Sequence, residues 1–153
     1  MTALERSCVT AAHWTEEQYL DAVASAGVER LVLVSEAPVS SASAASAEAT
    51  GADAPCLQGF LVARHVAAEW ELENIVVAPR GRRKGLGNRL LEALLIAASE
   101  TNNSAVFLEV RESNAAARSL YEKVGFEQTG RRNSYYTGPR EDAILYRFRG
   151  GMK

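Results

Sequence analysis

Three cations meet two glycines at residues 82–87, which read Arg-Arg-Lys-Gly-Leu-Gly, with Arg80 just ahead of them. A long apolar segment follows at once. The first N–H groups of a helix have no partner within it, and cations beside them add charge, so a strand–glycine turn–helix unit suits a phosphate. Glycine at 85 and 87 would let a ligand approach the backbone closely. The spacing excludes two common phosphate loops. Lys84 precedes the glycines and no Gly-Lys-Ser/Thr follows, so this is not a P-loop, and there is no Gly-x-Gly-x-x-Gly fingerprint. On residue types alone, a pyrophosphate site and a solvated basic turn both stand.

The elements around this turn are legible. Residues 15–27 form a helix, with Thr15 as N-cap, Gln18 completing a capping box, Trp14 and Tyr19 as a hydrophobic staple, and Gly27 as its stop. Residues 30–36, 57–66 and 70–79 are strands, the last two a hairpin across Ala67, Ala68 and Glu69. Residues 85–100 are a helix whose stripe of Leu86, Leu90, Leu91, Leu94 and Leu95 recurs with helical period. A strand at 104–112 puts Val106, Leu108 and Val110 on one face and Phe107, Glu109 and Arg111 on the other. A short helix follows at 113–126, with Ser113 as cap and Gly125 as stop, then strands at 126–136 and 143–148. This order predicts a mixed α/β sheet with helices on both faces.

Bulk properties narrow the classes. With 153 residues the chain is expected to form a single domain spanning 1–153, and 47% apolar and 24% charged residues are ordinary for a globular protein. The segment 37–55 is nearly all Ala, Ser, Thr, Gly and Pro, and is expected to be a flexible loop. A net charge of −2 gives no reason to expect nucleic acid. Positive charge is local instead, at 80–84 and at Arg131, Arg132 and Arg140, which suits a small anionic ligand. Cys8 and Cys56 lack metal-ligand spacing and are expected to be incidental thiols. His13 and His65 are isolated, and no metal site is expected. No long apolar run or signal pattern predicts a membrane association, so a cytoplasmic location is the default expectation.

The stretch NIVVAPRGRRKGLGNRLLE resembles the acyl-CoA-binding motif of the GNAT superfamily of N-acetyltransferases, whose core Gln/Arg-x-x-Gly-x-Gly/Ala falls here on Arg82, Gly85 and Gly87. LEVRESNAAARSLYEKVGF is similar to the family's next block, with Asn114, Ala117, Leu120, Tyr121, Gly125 and Phe126 at the motif positions. A narrower resemblance, carried also by HWTEEQYL and RRNSYYTGPREDAILY, is to the ribosomal-protein alanine N-acetyltransferases of the RimI type. This likeness implies a GNAT-type mixed, mostly antiparallel sheet flanked by helices on both faces. Members of the group begin with a strand ahead of the first-helix signature, so here the first strand is expected to be missing.

The resemblance also implies acetyl-CoA as co-substrate. Ile75, Val76 and Val77 would lie on a strand that splays to admit its acetyl-pantetheine arm. Arg82, Arg83, Lys84, Gly85, Leu86, Gly87 and Asn88 would wrap the pyrophosphate, and Asn114 would bond the pantetheine. Acetyl transfer to an amine needs a neutral nucleophile, a polarised carbonyl and a stabilised leaving thiolate. Glu109, mid-strand beside an aromatic, has two readings: an ion-pair partner of Arg111 or another cation, or a desolvated base. The resemblance implies the base. Tyr121 likewise has a core reading and a catalytic one, and the resemblance implies the acid, with an ordinary phenol pKa of about 10.

Trp14, Tyr135, Tyr136, Glu141 and Asp142 match signature positions of the narrower group and are candidates for holding the acceptor. Packing and turn formation are the alternative for these residues. The expected acceptor is a protein N-terminal amine, that of a small-subunit ribosomal protein with N-terminal alanine, acetylated by direct attack, in a protein that is a monomer or weak dimer. The rivals are a GNAT enzyme for another protein or small-molecule amine, and a non-catalytic acyl-CoA-binding module.

Overall fold

A computed structural model describes residues 14–24, 30–37, 56–101 and 105–150. The elements run α1 (Glu16–Ala24), β1 (Arg30–Ala37), β2 (Cys56–Val66), β3 (Glu69–Val77), a 3-10 turn (Pro79–Gly81), α2 (Leu86–Glu100), β4 (Ala105–Arg111), α3 (Ala115–Val124), β5 (Glu127–Tyr136) and β6 (Glu141–Arg149). The strands form one sheet in the order β1-β2-β3-β4-β6-β5. Every pairing is antiparallel except β3 with β4. This is the mixed, mostly antiparallel sheet expected from the sequence. The expectations of a missing first strand, of Gly27 as a helix stop and of a flexible loop at 37–55 fall wholly or largely outside the described residues, as do Cys8 and His13. Cys56 is a free, exposed thiol.

Two apolar clusters show which face each helix covers. The larger joins Leu86, Leu90, Leu91 and Leu94 of α2 and Tyr121 of α3 to Leu61, Leu72, Val106, Leu108, Ile144 and Tyr146 of the sheet. The smaller joins Tyr19 and Ala22 of α1 to Phe60, Val62 and Val76. Residues 60 and 62 thus face α1 while 61 and 63 face α2, as strand alternation requires.

Strand β3 does not keep that alternation. Val62 pairs with Asn74 but Ala63 pairs with Leu72, so Glu73 is an extra, unpaired residue. Such a bulge reverses the facing of everything beyond it. Trp70 and Leu72 therefore point to α2, whereas Val76 points to α1. The bulged Glu73 is held by Arg30 Nε at 3.0 Å and Arg64 Nε at 3.5 Å. Asn74, the one buried polar side chain of the described core, donates from Nδ2 to Tyr19 Oη at 3.0 Å.

Local signals in the sequence explain the helix ends. The N–H of Thr15 donates to Gln18 Oε1 at 2.7 Å, the N–H of Gln18 donates to Thr15 Oγ1 at 3.3 Å, and the Trp14 and Tyr19 rings stand 5.3 Å apart. The expected capping box and staple are both present. The cap of α3 is a correction: Asn114, not Ser113, accepts from the Ala117 N–H at 3.2 Å. The Ser113 N–H instead donates to the Glu141 carboxylate.

At the other end of α3, Gly125 takes φ +106° while Phe126 N–H bonds Tyr121 O and Gly125 N–H bonds Glu122 O. That is the paired bonding of a Schellman motif, which favours glycine at this position. A side chain there adopts the left-handed region at a cost of about 1–2 kcal/mol. Gly125→Ala is expected to lower the unfolding free energy by that amount, read in urea melts as a lower midpoint with an unchanged slope.

Candidate active site

The parallel pair β3/β4 is short. Only Trp70, Glu71 and Leu72 pair with Val106, Phe107 and Leu108. Beyond Leu72 and Leu108 the two strands part, while each stays bonded to its outer neighbour, β2 or β6. The gap opens a cleft of about 770 Å³ lined by residues 72–77 of β3, residues 109–111 of β4, the start of α2 and one side of α3. Main-chain groups of a strand alternate in direction, so β3 turns those of its inner edge toward the gap.

The α2 end of the cleft is built for an anion. Gly85 caps the helix at φ +76°, with no side-chain capping bond, and Arg83 is also left-handed at φ +60°. The first intrahelical donor recorded at this end is the Arg89 N–H, which bonds Gly85 O at 3.0 Å. The N–H groups of Leu86, Gly87 and Asn88 therefore stay free to donate. Arg82, Arg83 and Asn88 line the cleft beside them. Gly85 has open space where a Cβ would lie, so its left-handed turn is the reason for glycine. Gly87 has a different reason from the close ligand approach expected of it: a Cβ would sit 2.9 Å from Leu120 Cδ2, so its hydrogen lets α2 and α3 pack together.

Glu109 and Tyr121 meet across this opening. Val106, Leu108 and Val110 are buried on the α2 side, so Glu109 projects to the opposite face of β4. Tyr121 approaches from the α2 side, 5% exposed, and both residues line the cleft. A continuous sheet would have kept them on separate faces. Burial raises the pKa of the Tyr121 hydroxyl well above the phenol range, aided by nearby Tyr136, so the ordinary phenol pKa expected from sequence is not what the fold supplies. Tyr121 is a neutral hydrogen-bond donor at any ordinary pH.

Glu109 is neither alone nor paired with Arg111. Its Oε1 lies 2.9 Å from Arg132 Nη1, and its side chain is 18% exposed. Arg111 instead binds Glu141 Oε2 at 3.3 Å and stacks 4.2 Å from the Tyr136 ring centre. Arg131, read from sequence as part of a basic cluster, is neutralised by Glu112 and Asp142.

The candidate acceptor residues divide. Tyr136 lines the cleft and Tyr135 meets it edge to face, with ring centres 5.1 Å apart. An irregularity of pairing lies between Arg132 and Tyr136, and Tyr135 stays exposed outside the lining. Trp14 lies elsewhere, packed on the smaller apolar cluster beneath α1. Glu141 and Asp142 also lie outside the cleft lining and brace loops: Glu141 binds Arg111 and the Ser113 N–H, while Asp142 binds Arg131 and accepts from the Ser134 N–H at 2.7 Å. The Ser113 N–H, with Arg111, holds the Glu141 carboxyl below the usual range. Ile75, Val76, Val77, Asn114 and the loop residues Arg82, Arg83, Gly85, Leu86, Gly87 and Asn88 are brought together on the cleft, whereas Lys84 is exposed outside the lining. The sequence placed Arg132 in a basic cluster with Arg131 and Arg140 suited to a small anionic ligand, whereas the fold pairs it with Glu109. The charge of Arg132 on the exposed strand β5 gave no sign that it would reach Glu109.

The profile of the acetyltransferase (GNAT) family matches residues 40–126, more than half of the chain. The chain belongs to that family. It is 43% identical over 91 residues to the ribosomal protein bS18 alanine N-acetyltransferase of Escherichia coli K12, a match covering 58% of this chain and 62% of that protein. It is 40% identical over 90 residues to the enzyme of the same name from Haemophilus influenzae, covering 57% and 61%. The matched stretch thus spans under two thirds of these relatives. The crystal structure of the ribosomal-protein-S18-alanine N-acetyltransferase from Escherichia coli superposes with a TM-score of 0.73 at 29% identity, over 99% of this chain and 86% of that one. A streptothricin acetyltransferase from Bacillus anthracis, solved with acetyl coenzyme A, superposes at 0.59 with 29% identity, covering 63% and 57%. Among the described residues no helix is long and apolar enough to cross a membrane, and no group of three or more His, Cys, Asp or Glu side chains is arranged to hold a metal.

Two phenols, Tyr121 buried and Tyr136 half-buried, link the cleft to alkaline stability. Burial, with the nearby Glu109 charge, pushes Tyr136 up to about 12, and Tyr121 is raised as well. The unfolded chain loses these protons near pH 10, whereas the folded chain retains them. The raised pKa values thus contribute stability that is complete below about pH 10 and is lost as pH rises through the folded values. Thermal melts should show Tm falling from about pH 10 upward, and Tyr121→Phe should make that fall shallower.

Proposed function

We propose that this protein transfers the acetyl group of acetyl-CoA to a protein N-terminal amine, the N-terminal alanine of a small-subunit ribosomal protein. The observation that carries the reading is the parting of β3 from β4 beside the uncapped start of α2, with Glu109 and Tyr121 facing one opening. The similarity to bS18 alanine N-acetyltransferases supports the acceptor.

The cleft suits acetyl-CoA by its chemistry. Main-chain groups of Ile75 and Val76 on the inner edge of β3 can pair with the amides of pantetheine as a further strand would, and Asn114 lies along the same lining. The free N–H groups at the start of α2, with Arg82 and Arg83, suit the pyrophosphate. Lys84 adds charge to the same loop without lining it. Bound acetyl-CoA supplies a thioester activated toward amines. Glu109 takes the proton that the attacking nitrogen loses as its bond to the acetyl carbon forms. Tyr121 donates to the sulfur as the carbon–sulfur bond breaks and passes its proton to the departing thiolate. Burial makes Tyr121 a weaker acid that holds a neutral hydrogen bond to the sulfur, so the proton crosses only as the thiolate charge forms, and solvent restores the phenol afterwards. Tyr135 and Tyr136 form the aromatic wall at which the peptide terminus enters.

Release of free CoA should be measured with a peptide beginning Ala-Arg and with the same peptide blocked at its N-terminus. Turnover is expected on the free terminus only. Glu109→Gln should lower kcat/KM by about 10²–10⁴, and Arg82→Ala with Arg83→Ala should raise the KM for acetyl-CoA with little change in the KM for peptide. Equal turnover on blocked peptides that carry lysine would replace the terminal amine with a side-chain amine as the acceptor.

A further inference from the structure

The carboxylate proposed as base is already occupied. Arg132 Nη1 lies 2.9 Å from Glu109 Oε1, and the Tyr135 hydroxyl is near enough for the same carboxylate to raise its pKa. The Arg132 guanidinium carbon also lies 5.3 Å from the centre of the Tyr135 ring. A cation therefore rests between a carboxylate and an aromatic face at the edge of the cleft. Those are the two contacts that an alkylammonium seeks. An acceptor amine arrives mostly as an ammonium, since an α-amino group has a pKa of about 8.

Little else holds Arg132 in place. Its side chain is 53% exposed, and Glu109 is its one ion-pair partner among the described residues. It stands where the regular pairing of β5 ends. Beyond it, residues 133–135 loop out before pairing resumes at Tyr136, and Ser134 within that loop takes φ +53°. The neighbouring Arg131 is clamped between Glu112 and Asp142, so the mobile cation of the pair is Arg132.

We propose that Arg132 is a built-in competitor for the acceptor amine and so sets the affinity threshold of the acceptor site. Its guanidinium fills the Glu109–Tyr135 niche in the free protein and leaves when the acceptor's ammonium enters. Every acceptor is weakened by the same factor, so one with further contacts along the cleft keeps a useful affinity where a small free amine does not. This rests on Glu109 being the group that receives the amine. An exposed ion pair with one cation–π contact favours the closed arrangement by roughly two- to tenfold, and apparent affinity is reduced by that factor.

The test titrates L-alaninamide into the wild-type protein, Arg132→Gln, Arg132→Lys and Arg132→Gln/Glu109→Gln, following the Tyr135 ring protons by NMR. Arg132→Gln is expected to bind the amide two- to tenfold more tightly, Arg132→Lys to stay close to wild type, and the added Glu109→Gln to remove the gain. Binding in Arg132→Gln that is no tighter than wild type would overturn the proposal and leave Arg132 as a brace for Glu109. In steady-state assays Arg132→Gln should lower the KM for the Ala-Arg peptide and that for alaninamide by the same factor, while the KM for acetyl-CoA stays in place; a rise in the peptide KM would also overturn it. The titration needs no turnover. Tighter amide binding with no acetylation of any peptide would sink the proposed function and leave the role of Arg132 standing.

Discussion

The separation of two parallel strands after three residue pairs is the constraint on which the rest of this protein depends. A sheet normally satisfies its main-chain groups by closing every gap. Here β3 and β4 each remain bonded on their outer edges, and their inner edges are left facing a cleft. Unpaired main-chain groups are costly where no partner or water reaches them, so the gap is a place that a ligand with amides of its own can complete. The bulge at Glu73 belongs to the same device. It adds a residue to β3 and reverses the strand's facing as it enters the cleft, and Arg30 and Arg64 hold the displaced carboxylate.

The gap also has a chemical consequence. In an unbroken sheet, a carboxylate on one face and a phenol from a helix on the other would be separated by the backbone layer. The opening lets Glu109 and Tyr121 look into one space from opposite sides. In the proposed reaction they would stand as proton acceptor and proton donor at the two ends of a single acyl transfer. Their surroundings differ in kind. Tyr121 lies in the apolar cluster under α2, which keeps it neutral, and Glu109 lies among cations and phenols near the protein surface.

Charge on this chain is arranged by partner rather than by count. The cations at the start of α2 flank unbonded helix N–H groups, so the local field is positive where a phosphate would sit. Those on β5 are met by carboxylates: Arg131 by Glu112 and Asp142, and Arg132 by Glu109. The two clusters look alike in sequence, and only one of them is an open anion site.

Much of the fold was legible because its signals are local. A capping box needs residues three apart, and the stripe of α2 needs only its own period. The order of helices and strands, the hairpin at Ala67–Ala68 and the glycine end of α3 all follow from neighbours in the chain. The motif on Arg82, Gly85 and Gly87 was likewise legible, although the geometry gives its glycines separate tasks, a left-handed turn for one and room for Leu120 for the other. The roles of Glu141, Asp142 and Arg132 were not legible in this way. Each depends on a partner in another element, as Arg132 does on Glu109 of β4 and Glu141 on Arg111. By itself the sequence determined the elements, their order and the family, since these rest on propensity, periodicity and short motifs. Only the tertiary structure decided where the sheet opens, which cations are neutralised and which side chains share the cleft, because contacts across the sheet depend on register and bulges that no local pattern encodes.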